Sequence, residues 1–331
     1  MCAGRTRREV LCVSTGLGLA LTAGCLSDSD AASDDDTGNG NDADGDETGN
    51  GADDEAAHLT AQDVLLETAA WGDFDATKLE FEAFDLTAID AVSRSLPDGA
   101  GDELRGEAFD LVSGADELLG AENVETTFAF EVPNSYESHG RMRCEGLLGS
   151  FDVASVRSEI DVDDDQITRR TVAGFDLYTE TSSTGRTSWL TALGSELVLD
   201  IEGDVDADEV ETLLEGFDSG QATSEVAEYA TLEAFVGSLD GAVVFGELAP
   251  TGQYGENGFG VSLDLGAERT VVRYVFFYDD GPTEDVVERI ESDLEGEQPS
   301  SEYDETSVDA DDRAVVVSFA VETERFDLRN W

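Results

Sequence analysis

The sequence predicts an α+β fold: mostly antiparallel sheets with helices packed on one face, in two tandem subdomains. Three observations lead there. Strand-like runs of alternating apolar and polar residues dominate after residue 124. The strict strand–helix alternation of a parallel dinucleotide-binding sheet is missing. Both halves share one sketch of strands, acidic turn, amphipathic helix and more strands, as in Leu197–Phe217 and Val271–Leu294. Recurrent α+β architecture is favoured over a tandem duplication, because these two stretches align poorly by eye.

The elements follow in order. Thr60 can cap a helix carrying Val64, Leu65, Ala69 and Trp71 on one side. Residues 77–96 fit a helix or a strand. A helix is expected near 107–119, with Leu111, Val112, Ala115, Leu118 and Leu119 at helical spacing. Phe128, Phe130 and Val132 alternate with polar or small residues until Pro133 ends a strand. A short helix is placed at 152–160, on Val153, Val156 and Ile160. One strand is expected over 167–179, then a polar turn through Ser182–Gly185, then strands at 189–193 and 196–201. Asp206, with Glu209 three residues later, resembles a capping box ahead of Val210, Leu213, Leu214 and Phe217. Another helix covers about 226–239. Strands are then expected at 242–249, 258–265 and 269–279. Pro282 introduces a helix with Val286, Val287, Ile290 and Leu294, and strands at 302–308 and 313–322 close the chain.

The N-terminus reads as an address. Arg5, Arg7 and Arg8 precede an apolar run from Val10 to Leu21, which ends at Ala23-Gly24-Cys25. That order is a charged region, an apolar region and a small-residue cleavage site, and the run is too short to span a bilayer. Thr6-Arg7-Arg8-Glu9-Val10-Leu11 resembles a twin-arginine export signal, with Arg7 and Arg8 as the pair that is read. Ala23-Gly24-Cys25 resembles a lipobox, which implies lipid on Cys25 and residues 1–24 as a signal peptide. Leu21 departs from the pattern by one place. Residues 25–57 form an acidic, disordered tether, since 28–55 carry no basic group and no large apolar side chain. The folded body is divided as 58–240, with N-terminal helices, and 241–331. Its expected location is the extracytoplasmic face of the cell membrane.

Composition narrows the function classes. Acidic residues number 77 and basic residues 18, for a net charge of −59. Removing residues 1–24 takes away Arg5, Arg7, Arg8 and Glu9 and leaves −61. Binding to nucleic-acid phosphate is excluded, because the required cations are missing. Such charge repels itself in dilute buffer, whereas at molar salt the Debye length falls to about 3 Å and most repulsion is screened. Lys78 is the single lysine. Abundant aspartate with almost no lysine resembles the composition of proteins from extremely halophilic archaea. Diffuse hydrated cations are therefore the expected counter-charge, and a pair of carboxylates here says little about catalysis.

Within the body, Gly174-Phe175-Asp176-Leu177-Tyr178, Ser195-Glu196-Leu197-Val198-Leu199 and Asp208-Glu209-Val210-Glu211 form a layout similar to uncharacterised exported lipoproteins of halophilic archaea. The resemblance spans about residues 124–322. It implies an exported, lipid-anchored body and carries over no catalytic residues.

The search for chemistry yields little. Of Cys2, Cys12, Cys25 and Cys144, two leave with the signal and one takes lipid. Cys144 therefore has no intramolecular partner and reads as a small buried hydrophobe. A nucleophilic role would need a base, and His139 lies five residues away. The two histidines, His58 and His139, show no zinc-type spacing, and no Gly-x-Ser-x-Gly elbow is present. Asp204, Asp206, Asp208 and Glu215 mimic an EF-hand spacing, but the required glycine is Glu209, and a capped helix start is favoured. Asp42, Asp44 and Asp46 fail the same way. No cofactor and no specific metal site is expected. Gly252–Gly260 lacks the lysine of a phosphate loop and reads as a hairpin loop, with Tyr254 and Phe259 available for contacts. The expectation is a non-enzymatic, lipid-anchored surface protein of the envelope, with an unidentified partner. A solute-binding lipoprotein of a transporter is the first alternative and would need a cleft lined by arginines such as Arg141, Arg143, Arg169 and Arg170. An extracellular hydrolase is the second.

Overall fold

A computed structural model describes residues 60–71, 79–112, 119–133, 141–159, 167–181, 187–202, 210–211, 213–215, 229–248, 252, 254–296 and 304–326. The export arginines Arg7 and Arg8, Cys25, the tether, His58, His139 and Asp204–Asp208 lie outside these residues.

The first helix, α1 (Ala61–Trp71), starts where the sequence placed it. The Thr60 hydroxyl accepts from the Asp63 amide at 3.1 Å, and Asp63 accepts from the Thr60 amide at 2.9 Å. This reciprocal pair satisfies donors that the helix leaves unpaired. The ambiguous stretch after it divides in two. Strand β1 (Leu79–Asp85) ends at Asp85, whose carboxylate caps α2 (Leu86–Val92) by accepting from the Ala88 amide at 2.9 Å. Helix α3 covers Ala100–Asp110; of the helix expected over 107–119, residues 107–110 belong to it, Leu111 and Val112 do not, and 113–118 lie outside the described residues. Gly99, at φ 86°, supplies the left-handed entry, a conformation glycine adopts freely.

Strand β2 (Val124–Pro133) pairs with β3 (Arg141–Gly149), which the sequence reading did not assign. Two glycines and three charged side chains hid its alternation. Helix α4 (Val153–Glu159) is capped by Asp152, which accepts from the Ala154 and Ser155 amides at 3.1 and 3.2 Å. The single strand expected over 167–179 is a hairpin, β4 (Ile167–Val172) and β5 (Phe175–Thr181). Ala173 and Gly174 turn it, both at positive φ (46° and 84°), the requirement of a tight two-residue hairpin. Strands β6 (Thr187–Leu193) and β7 (Leu197–Glu202) follow. Residues 210–211 and 213–215 are helical. The remaining elements are α5 (Tyr229–Gly237), β8 (Val243–Leu248), β9 (Gly258–Leu265), β10 (Arg269–Phe277), α6 (Glu284–Gly296), β11 (Glu305–Ala310) and β12 (Ala314–Glu322).

All twelve strands form one antiparallel sheet, in the order β11-β12-β10-β9-β8-β1-β2-β3-β7-β6-β5-β4. The ladder between β1 and β8 carries the sheet across the expected subdomain boundary at 240/241.

Side chains alternate across each strand, so both faces can be read from the cores. On β1, Leu79 and Phe81 enter one core and Phe84 the other. The first core receives Val64 and Leu65 of α1, Leu232, Phe235 and Val236 of α5, and Val210, Leu213 and Leu214. The opposite face receives Ile89 of α2, Leu104 of α3 and Val156 of α4, with Ile290 of α6 in the adjoining cluster. Helices thus lie on both faces rather than the one expected. Strands such as β8 explain this: Val243, Val244 and Phe245 are consecutive and all buried, so the strand is apolar on both sides.

The glycines of 252–260 have a packing role. Gly246, Gly258 and Gly260 sit under α5, where added β-carbons would come within 2.6, 2.9 and 2.2 Å of Leu239 or Phe235. Glycine there lets the helix lie close on the sheet.

Candidate functional site

Polar groups concentrate in three places. The first is a row of carboxylates crossing the β1–β8 seam. Glu80 of β1 stands directly opposite Glu131 of β2 and Glu247 of β8. Directly opposed side chains lie roughly 5 Å apart at Cβ, so like charges there oppose pairing. Glu82 is on the same face, as are Glu145 of β3 and Asp200 of β7, which face each other. Arg143 pairs with Glu145 at 2.5 Å, and the Thr191 hydroxyl donates to Asp200 at 3.2 Å. Glu82, Glu131, Glu145 and Asp200 all have further partners. Glu247 shows the strain of the row: burial first, then the Glu80 charge, raises its carboxyl above the ordinary range.

The second place is the dock of α4. Asp176 of β5 is buried, and the Arg157 Nε donates to its carboxylate at 2.6 Å. The Thr171 hydroxyl donates to the other oxygen at 3.0 Å. The Asp176 hydrogen bond and charge raise the Arg157 pKa further. These contacts pin α4 to the sheet.

The third place joins the loop before β9 to α6. Glu256 is buried, and its carboxylate accepts from the Tyr254 amide at 2.8 Å. The Tyr254 hydroxyl donates to Asp293 at 3.1 Å, and the Arg289 guanidinium lies 5.0 Å from the Tyr254 ring centroid. Tyr278 is buried beside them, and its phenol is pushed well up by burial and by the Glu256 charge. Tyr254 therefore serves the packing of α6, and Phe259 stacks at 5.4 Å against Phe276.

Cys144 is fully buried on β3. Burial, then the charges of Asp200 and Glu145, pushes its thiol well up, which removes the thiolate a nucleophile needs. Among the described residues no group of three or more His, Cys, Asp or Glu side chains could hold a metal ion. Glu215 is exposed on its helical turn. Of the arginines named for a solute cleft, Arg143, Arg169 and Arg170 do not converge, and the Arg141 side chain lies outside the described residues. Arg143 is held by Glu145 and Arg170 by Glu211 at 2.6 Å, while Arg169 and Arg170 point to opposite faces of edge strand β4. Two surface hollows stand out elsewhere. One, of about 550 Å³, lies between α5 and the β11–β12 turn and is lined by Phe277, Asp311, Asp312 and Arg313. The other, of about 330 Å³, lies along β11.

No helix among the described residues is long and apolar enough to cross a membrane. Chemically, the carboxylate row can attract and hydrate cations, and the other two clusters fasten helices to the sheet. Sequence reading missed all three, because the chain offers acids everywhere and only strand register shows which ones meet.

No family model and no curated protein matches the chain. Among solved structures, crystal form I of TP0453 is similar over 74% of this chain and 90% of its own, at 9% identity and a TM-score of 0.37. Crystal form III covers 74% and 91%, at 10% identity and a TM-score of 0.35. Overlap of that size says nothing about role.

Proposed function

We propose that this chain is a lipid-anchored surface protein of a halophile, exported through Arg7 and Arg8, and acting by contact with other envelope components rather than by catalysis. The order of the N-terminal signals carries this reading: paired arginines, a short apolar run, Cys25, then an acidic segment before the body. Lipid on Cys25 would hold the body to the membrane through residues 26–59, a linker with a root-mean-square reach of about 30 Å, longer with its like charges. The halophilic part is supported by the Glu131–Glu80–Glu247 row, which places like charges on adjacent central strands. Brine screens such a row, and dilute buffer leaves it unscreened. The contact role is supported by what the polar clusters do: buried Asp176 and Tyr254 and exposed Arg289 hold elements together, and Cys144 is closed off.

Cell fractionation tests the anchor. With native Cys25 the protein should sediment with membranes, and Cys25→Ser should release it. Unchanged membrane association of Cys25→Ser would refute lipid attachment. Melting in dilute and in multimolar KCl tests the halophilic part, and an identical transition in both would refute it.

A further inference from the structure

The two sides of the β1–β8 seam have the same construction. Outward from the seam, one side reads β1, β2, β3, then β7 and β6, and the other β8, β9, β10, then β12 and β11. Each side begins with a helix leading into its first strand (α1 or α5). Each places a second helix (α4 or α6) after its third strand. Each then returns an antiparallel strand to pair with that third strand. The pair α2–α3 and the hairpin β4–β5 are extra on the first side.

The faces agree as well. α1 and α5 lie in one core, while α4 and α6 lie on the opposite face. Buried positions on α1 are Ala61, Val64, Leu65 and Thr68. Across α5 and just beyond its end they are Leu232, Phe235, Val236 and Leu239, the same spacing. The two helices meet above the seam, where the Gln62 side-chain amide donates to the Leu239 carbonyl at 3.1 Å.

Register gives the sharpest agreement. A two-fold rotation normal to the sheet, through the opposed pair Phe81–Gly246, exchanges β1 and β8. Carried outward through the ladders, it places the pair Phe128–Gly146 on the pair Gly258–Phe277. Each sets a phenylalanine opposite a glycine in the ladder, with the phenylalanine on the second strand in one unit and on the third in the other. The next pairs, Phe130–Cys144 and Gly260–Val275, also correspond.

We infer that residues 61–202 and 229–322 are two copies of one α-β-β-β-α-β-β unit, fused in tandem and paired edge to edge through β1 and β8. The seam is an internal dimer interface, and the partner that fits the β8 edge is a second copy of the same unit.

The test uses the intact body in multimolar KCl. Hydrogen exchange under mild urea should resolve two opening units, 79–202 and 243–322, with the seam amides of β1 and β8 opening with the weaker one. Opening of both sides in one event would overturn the inference. A second measurement introduces a protease site within 218–224 and cuts the folded chain. The fragments should stay together at the mass of the uncut body, with an unfolding midpoint that rises with protein concentration only after cutting. Fragments that fall apart on cutting, or a midpoint that stays independent of protein concentration, would also overturn it.

Discussion

Glu247→Gln should stabilise the protein, and by an amount that salt controls. Glu247 is half-buried and faces Glu80 across the seam, with Glu131 one strand further on. Glutamine keeps the shape and removes the charge. A directly opposed like-charge pair costs up to about 1 kcal/mol in a sheet. Half-burial puts this pair toward the upper end in dilute salt, which corresponds to about 2–4 °C in Tm for a body of this size. At molar salt, with a screening length of about 3 Å, the part of the gain due to the Glu80 charge should vanish and the part due to burial should remain. The pH dependence has a definite sign. The folded carboxyl holds its proton more tightly than the unfolded one, because of burial and Glu80. Native Glu247 therefore costs nothing below the unfolded carboxylate range near pH ~4.3, and stability falls as pH rises through the folded value. Wild type and Glu247→Gln should converge in acid and separate above it. Thermal and urea unfolding at two salt concentrations and two pH values would measure this. A loss of stability in Glu247→Gln at low salt, or a gain equal at both salts, would refute the reasoning.

Gly146→Ala should cost about 1–3 kcal/mol by urea unfolding, because its β-carbon would lie 2.0 Å from the fully buried Phe128 ring, and adding Phe128→Leu should recover part of it. Arg157→Ala should lower the urea midpoint more than Asp176→Asn does, since the first leaves a buried carboxylate unpaired while the second removes the buried charge itself. Cys144 should resist maleimide in multimolar KCl and react after dilution into fresh buffer; prompt labelling in brine would contradict its burial.

Local chemistry was legible in the sequence wherever one residue type does one job. Thr60 announced the start of α1, and the alternation of Phe259, Val261, Leu263 and Leu265 announced β9. β3 escaped because its buried positions include Gly146, which carries no hydrophobic signal of its own. The sequence favoured recurrent architecture over a duplication after comparing β7 and the helix after it with β10 and α6, whereas the inferred repeat sets β10 and α6 against β3 and α4. The inserted β4–β5 hairpin had shifted the frame. The carboxylate row needed ladder register, which a single sequence does not contain.

The sheet ends in two open edges, β4 and β11, and Glu305 and Asp309 stand exposed along the second. Edge strands in most proteins are kept from joining their neighbours partly by repulsion felt at a distance. Concentrated salt abolishes that warning, so two molecules could approach rim to rim unopposed. What remains is a cost paid only at contact: docking would have to strip tightly held water from those carboxylates, and no amount of dissolved salt shields against dehydration.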